Sequence, residues 1–180
     1  MELFDLYTAE RKKTGRTMVR GEPTPEGFYR LVVHVCIFNE AGQMLIQQRQ
    51  PFKSGWSNLW DISVGGSDIA GDSSRSAAER ETREELGLSI DLSDTRPTLT
   101  IYWENGFDDY YVVNQAPAFD SLRLQYEEVQ RVKWADKEEI LRMIDDGSFI
   151  PYEKSLIELL FFRRNHRSSH THEDHTVKYS

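Results

Sequence analysis

The chain has 180 residues, of which 38% are hydrophobic and 12% aromatic, enough for one compact domain with a sizeable core and too few for two. With 22 Lys and Arg against 30 Asp and Glu, the formal charge is −8, which disfavours general binding to nucleic-acid backbones and makes a long nucleic acid an unexpected partner. Any phosphate ligand then needs a local basic patch or a bridging cation. The single cysteine, Cys36, lies in an apolar run, which excludes a disulfide framework and a cysteine-rich zinc site. No stretch approaches the ~18 apolar residues of a membrane span, and the N-terminal residues MELFDLYTAERKK lack the apolar centre of a secretion signal. The expectation is a cytoplasmic protein.

In chain order, the opening LFDLYTAERKKTGRTMVRGEPTPEG alternates weakly around Thr14-Gly15 and predicts a small polar hairpin on the edge of the domain. From Phe28 to Arg49, FYRLVVHVCIF and MLIQQR flank a loop with Asn39 and Gly42, the pattern of a β-hairpin. Gln50 to Asp61 has no clear period and reads as a loop that packs two indoles near a surface. A short apolar piece then ends in Gly65-Gly66. A helix follows, capped by Asp72 or Ser73 and terminated at Gly87, with Ala77, Ala78 and Leu86 on its packed face. TLTIYWEN and YYVVNQAP predict a second hairpin, EVQRVKWAD a strand, KEEILRMIDDG a helix, and residues from about Tyr152 to Arg163 a last amphipathic helix. Residues 166–180 form a polar tail expected to be disordered. The alternation of strands and helices predicts an α/β (α+β) sandwich, a mixed central sheet between helical layers.

Within the central helix, Glu81, Glu84 and Glu85 stand at i, i+3 and i+4, which places three carboxylates on one side of a single turn. Like charges at that spacing each destabilise a helix by roughly 0.2–0.5 kcal/mol, so the cluster has either a ligand or offsetting cations, for which Arg80 and Arg83 are available. The alternative is a solvated helix that is simply rich in Glu and Arg. Oxygen ligands in that number suit a hard divalent cation, Mg²⁺ or Mn²⁺. The preceding Gly65-Gly66 pair lets a backbone carbonyl approach the same ion and lets the helix N-terminus face an anion.

The run from Gly66 to Leu88, GSDIAGDSSRSAAERETREELGL, resembles the Nudix box of the MutT-like hydrolases. Gly66, Arg80, Glu81, Glu84, Glu85, Gly87 and Leu88 fall on the positions of that motif, while Asp72 stands where its first Glu is expected and Thr82 at its aliphatic position. With its flanking strands, the resemblance covers most of residues 28–160 and implies a Nudix-type α/β/α sandwich over residues 1–165, N-terminal hairpin included. It further implies a Mg²⁺- or Mn²⁺-dependent hydrolase that cleaves a pyrophosphate linkage in a nucleoside diphosphate derivative or related diphosphate. Glu81, Glu84 and Glu85 would be the metal ligands together with a carbonyl of Gly65 or Gly66, and Arg80 would orient the glutamates. Asp72 puts in question the contact made by the first Glu of the motif.

The base that deprotonates water is not determined by the motif; Glu84 in the box and Glu128, six residues before Trp134, are the candidates, with Glu127 and Glu104 as substitutes. Glu128 reads equally well as an exposed glutamate at the start of a strand. Arg49 and Lys53 are candidates for holding phosphate oxygens, or are solvated loop charges. Trp56, Trp60, Trp103 and Tyr102 are either a stacking wall or core. His34 reads as a satisfied strand histidine, and His166, His170, His172 and His175 as weak metal binders in a flexible tail.

The segment from Leu31 to Ser67 also resembles isopentenyl-diphosphate isomerase, a relative on the same scaffold. Gly65 falls where that family has its catalytic cysteine, Ser67 and Arg30 where it has ligand histidines, so the resemblance implies that the scaffold, with diphosphate-binding roles for Arg49 and Lys53, carries over but the isomerase chemistry does not. A third reading is a catalytically silent ligand-binding module, against which the intact acidic turn argues. The expected partner is a small-molecule diphosphate, with a homodimer the common assembly if chains associate.

Overall fold

A computed structural model describes residues 2–166 and Ser168. A two-stranded sheet of β1 (Leu3–Tyr7) and β2 (Lys13–Val19) sits beside a seven-stranded mixed sheet. The larger sheet holds β3 (Arg30–Phe38), β4 (Met44–Arg49), β5 (Trp60–Asp61), β6 (Val64–Ser67), β7 (Leu99–Trp103), β8 (Gly106–Asn114) and β9 (Val129–Ala135). The helices are α1 (Ser74–Leu86), α2 (Lys137–Asp145) and α3 (Lys154–Arg163).

Alternation along β3 builds both faces of the sheet. Leu31, Val33, Val35 and Ile37 pack with Ala77, Ala78 and Leu86 of α1, whereas Cys36 and Phe38 pack with Ile140 and Met143 of α2 and Ile157 and Leu160 of α3. The expected sandwich is therefore present, with α1 on one face and α2 and α3 on the other.

The hairpin expected over Phe28–Arg49 forms as a turn but not as a ladder. Strands β3 and β4 pair only at Phe38 and Met44, then separate. Beyond that point β3 pairs antiparallel with β6 and parallel with β8, and β4 pairs with β5 and β9. Alternation fixes which face a side chain takes but not which strand lies alongside, and partners from later in the chain displaced the local one. Ser63 spans the resulting gap: its fully buried hydroxyl accepts from the Ile37 N–H at 2.8 Å and donates to the Leu45 carbonyl at 2.5 Å. Ser63→Ala leaves both backbone groups without a partner and is expected to destabilise the fold by about 2–3 kcal/mol, read from chemical denaturation.

The N-terminal hairpin exists, but its turn lies at Thr8–Lys12 and Gly15 falls inside β2. Arg11, with φ +62°, fixes that turn by donating to Asp109 of β8 at 2.5 Å. The Asp109 carboxylate is fully buried and accepts also from Thr100 and Ser74, both at 2.6 Å. A long-range charge pair thus sets the register that local turn residues suggest elsewhere. Trp60 and Asp61, expected in a loop, form β5, with the indole 8% exposed in the core. The last helix begins at Lys154, because the chain turns at Pro151, where the Tyr152 N–H donates to the Ile150 carbonyl at 2.7 Å, and the Tyr152 hydroxyl donates to Asp61. Of the expected tail, all but His166 and Ser168 lies outside the described residues, including His170, His172 and His175. Among the described residues no helix is long and apolar enough to cross a membrane.

Candidate active site

Local rules place α1 correctly. Ser73 is the N-cap, exchanging hydrogen bonds with Ser76, and Gly87 ends the helix at φ +66°. Thr82, at the aliphatic position of the motif, is fully buried, its hydroxyl satisfied by the Ala78 carbonyl at 2.7 Å. The shorter Asp72 reaches its partner all the same: Arg80 Nε donates to Asp72 Oδ2 at 3.0 Å.

Arg80 is the hub of the acidic turn. Its Nη1 donates to Glu81 Oε1 at 2.9 Å and to Glu84 Oε2 at 3.1 Å, and its Nη2 donates to the Ser67 carbonyl at 3.0 Å. One planar guanidinium thus ties the helix to the end of the glycine strand β6. Glu85 faces inward, 4% exposed, and accepts from Gln47 Nε2 of β4 at 2.7 Å. Burial pushes the Glu85 carboxyl well above the usual range and that of Glu81 upward too, the latter against the pull of Arg80. Glu84 is the most open of the three, its side chain half exposed.

Among the described residues no three acidic or histidine side chains converge into a ready cation cage, since the glutamates fan out onto Arg80 and Gln47. The donor chemistry nevertheless fits a hard cation: it is all-oxygen and multiply anionic, with Glu85 buried on a neutral amide and, among the described residues, the Arg80 guanidinium paired with Glu81 and Glu84. Glu81 lies so close over Gly66 that a Cβ there would stand 2.1 Å from its carboxyl carbon. Gly66→Ala is therefore expected to displace Glu81 with little change in melting temperature, and to lower kcat/KM about 10–100-fold.

Bordering the same Gly65-Gly66-Ser67 segment opens a cleft of about 540 Å³. Arg49, Lys53 and Glu128 all line it. The Lys53 ammonium meets the Glu128 carboxylate at 2.6 Å, and Arg49 Nη1 stands 3.7 Å from Asp61 Oδ2. Glu127 and Glu104 are exposed elsewhere. Of the four aromatic candidates, Trp56 lines the cleft, while Trp60 is core and Tyr102 lies exposed on β7. Trp103 is engaged by Asp108 at 2.8 Å and by the Arg30 guanidinium over its ring.

His34 is not the satisfied histidine that the sequence suggests. Its Nδ1 is buried without a hydrogen-bond partner among the described residues, its Nε2 stands 3.6 Å from Asp108 Oδ2, and its ring, on the cleft wall, stacks on Tyr110 at 4.5 Å. Arg20, Asp61, Asp108 and Tyr152 also line the cleft and were not legible as site residues. Arg20 arrives only because the N-terminal hairpin docks there. Asp61 did carry a signal, being an acid inside an apolar run. It is 5% exposed, its Oδ1 accepting from the Tyr152 hydroxyl and the Ile62 N–H, both at 2.8 Å, and burial raises its pKa.

Residues 28–155 match the NUDIX domain profile. An uncharacterized Nudix hydrolase of Listeria monocytogenes is 49% identical over 152 residues, covering 84% of this chain and 90% of the relative. An isopentenyl-diphosphate Delta-isomerase of Escherichia coli is 29% identical over 150 residues, 78% of this chain and 80% of the enzyme. The crystal structure of a Deinococcus radiodurans protein superposes with a TM-score of 0.70 at 27% identity, over 88% of this chain and 97% of that one. A MutT protein of Methanosarcina mazei shares the fold, with a TM-score of 0.58 at 20% identity over 77% of this chain and 96% of that one. Motif, mixed-sheet sandwich and relatives converge, and the chain belongs to the Nudix hydrolases.

Proposed function

We propose that the protein hydrolyses a pyrophosphate linkage in a nucleoside diphosphate derivative or related diphosphate, using Mg²⁺ or Mn²⁺. The observation that carries this reading is a shared wall: Gly65, Gly66, Ser67, Arg20 and Glu128 border both the acidic turn of α1 and the cationic cleft. A diphosphate in the cleft thus lies against the carboxylates.

Glu81, Glu84 and Glu85, with the Gly66 carbonyl, would hold the cation. When bound, such an ion neutralises charge on the phosphoryl oxygens and lowers the pKa of water. Arg49 and Lys53 bind phosphate oxygens, the first as a fork and the second as a point charge. Arg80 positions Glu81 and Glu84 by donating to both. Water adds across the P–O–P bridge, and its proton passes to a carboxylate at Glu84 or Glu128. Glu128 is engaged by Lys53 at 2.6 Å, so a substrate phosphate that draws the ammonium away also frees the carboxylate to accept a proton.

The isomerase relatives give a second reading its only support, and the residues oppose it. Gly65 offers no thiol, and Cys36 is fully buried in β3, where burial drives its pKa far up. The test is a screen of nucleoside diphosphate derivatives with Mg²⁺ and Mn²⁺, products resolved by mass. Cation-dependent release of phosphate-bearing fragments is expected; no turnover of any diphosphate with either ion overturns the proposal, and conversion of isopentenyl diphosphate into its double-bond isomer establishes the alternative.

A further inference from the structure

The loop between β4 and β5 makes two unfavourable choices at one residue. Trp56 has φ +51° and Asn58 has φ +62°, the left-handed region that bulky side chains avoid. The Trp56 indole nevertheless stays 54% exposed, forgoing the burial that such a large apolar group ordinarily gains. Trp60, four residues on, is buried at 8%, so the core on this side already has its indole.

The conformation is also held firmly. Gln48 Nε2 donates to the Asn58 carbonyl at 2.9 Å and to its side-chain oxygen at 3.2 Å. Arg49 Nε donates to the Gly55 carbonyl at 3.2 Å, and the Ser57 hydroxyl donates to the Pro51 carbonyl. Lys53, on the same loop, is joined to Glu128 across the cleft. A strained backbone that its surroundings over-determine is characteristic of ligand-contacting positions. Here it places an exposed indole on the wall of the cleft lined by Arg20, Arg49 and Lys53.

Asp61 lies in the same cleft, and among the described residues its Oδ2 is ion-paired with Arg49 but accepts no hydrogen bond. Oδ1 is taken by Tyr152 and Ile62, whereas the nearest cation to Oδ2, Arg49, is 3.7 Å away, beyond a direct hydrogen bond.

We infer that Trp56 is a specificity-determining residue: its indole stacks on a planar ring carried by the diphosphate, and Asp61 Oδ2 accepts from an N–H or O–H of that group. The inference rests on the proposed diphosphate chemistry and deepens it, assigning the recognition of the non-phosphate half to named residues. An unbranched or isoprenoid hydrocarbon offers neither a stacking face nor a donor, so the cleft discriminates against it.

The test is equilibrium titration of the full chain in magnesium buffer with adenosine diphosphate and with inorganic pyrophosphate, product formation being followed in parallel. Trp56→Ala is expected to weaken adenosine diphosphate about tenfold and to leave pyrophosphate within about twofold, while Trp56→Phe, which keeps a ring, stays within about threefold for both. Because the residue is exposed, the variants should melt with the unaltered protein, which circular dichroism checks. Equal weakening of both ligands by Trp56→Ala overturns the inference, since the indole would then only position the phosphate-binding loop; so does unchanged adenosine diphosphate binding. An unaltered protein that binds pyrophosphate but not adenosine diphosphate sinks the inference alone and leaves the hydrolase reading standing. One that binds neither sinks both.

Discussion

Glu85→Gln is expected to lower kcat/KM for cation-dependent diphosphate hydrolysis by about 10²–10³-fold while leaving the fold intact and its melting temperature, without added metal, equal to or above that of the unaltered protein. The two effects have one cause. Glu85 is 4% exposed, its only side-chain hydrogen bond among the described residues comes from the neutral Gln47, and Glu81 and Asp61 add like charge to its surroundings. Burial of that kind penalises the ionised form, so a neutral amide of the same shape removes a cost, and its remaining oxygen still accepts from Gln47. A carboxylate maintained there against the stability of the chain is accounted for by a ligand that needs the charge. Parallel kinetics and differential scanning calorimetry check the pair of outcomes. Full activity in the variant contradicts the assignment of Glu85 as a cation ligand, and a lowered melting temperature makes the residue structural instead.

The same residue shows where the sequence was informative. The acidic turn, the Ser73 cap and the Gly87 terminator depend on spacings of three to five residues along one helix, and local spacing survives folding unchanged. Arg49 at the end of β4, Lys53 on the loop after it and Glu128 just before β9 were open to selection by position alone, and all three line the cleft. What was hidden depends on partners distant in the chain. Arg20 reaches the cleft through a hairpin whose turn is fixed by Arg11 and Asp109, ninety-eight residues apart. His34 looks like any polar residue in an apolar strand until β6 arrives beside it and leaves its Nδ1 facing Gly65, whose Cβ would stand 3.2 Å away. The splay of β3 from β4 has the same origin, because the insertion of Ser63 between them is invisible to any count of alternating residues. Aromatic candidates were the least separable, since an indole in the core and an indole over a ligand have the same local sequence.

Asp68 carries the largest expected stability effect, and its sign runs opposite to that of most acids. The residue has no exposed surface; its Oδ2 accepts from the Tyr7 hydroxyl at 2.6 Å and its Oδ1 is buried with no partner among the described residues. Burial raises the carboxyl from its ordinary 3.8 to about 7, the Tyr7 bond pulling down only in part and Asp5 pushing up. A proton on the orphaned oxygen is thus favoured by folding. The stability that this group contributes is complete below pH ~4, where both folded and unfolded chains hold the proton, and is lost as pH rises to about 7 and the folded chain must release it. A shift of roughly three pKa units corresponds to about 4 kcal/mol at most. Asp68→Asn removes the titration while keeping an acceptor for Tyr7, so its stability relative to the unaltered protein should be near zero at pH 4 and rise by up to about 4 kcal/mol at pH 8. Denaturant titrations of the two proteins at intervals across that range, without added metal, measure the difference. A difference that stays flat with pH would mean that folding does not raise the Asp68 pKa, with Tyr7 and the Lys13 charge sustaining the buried carboxylate between the N-terminal hairpin and the glycine strand.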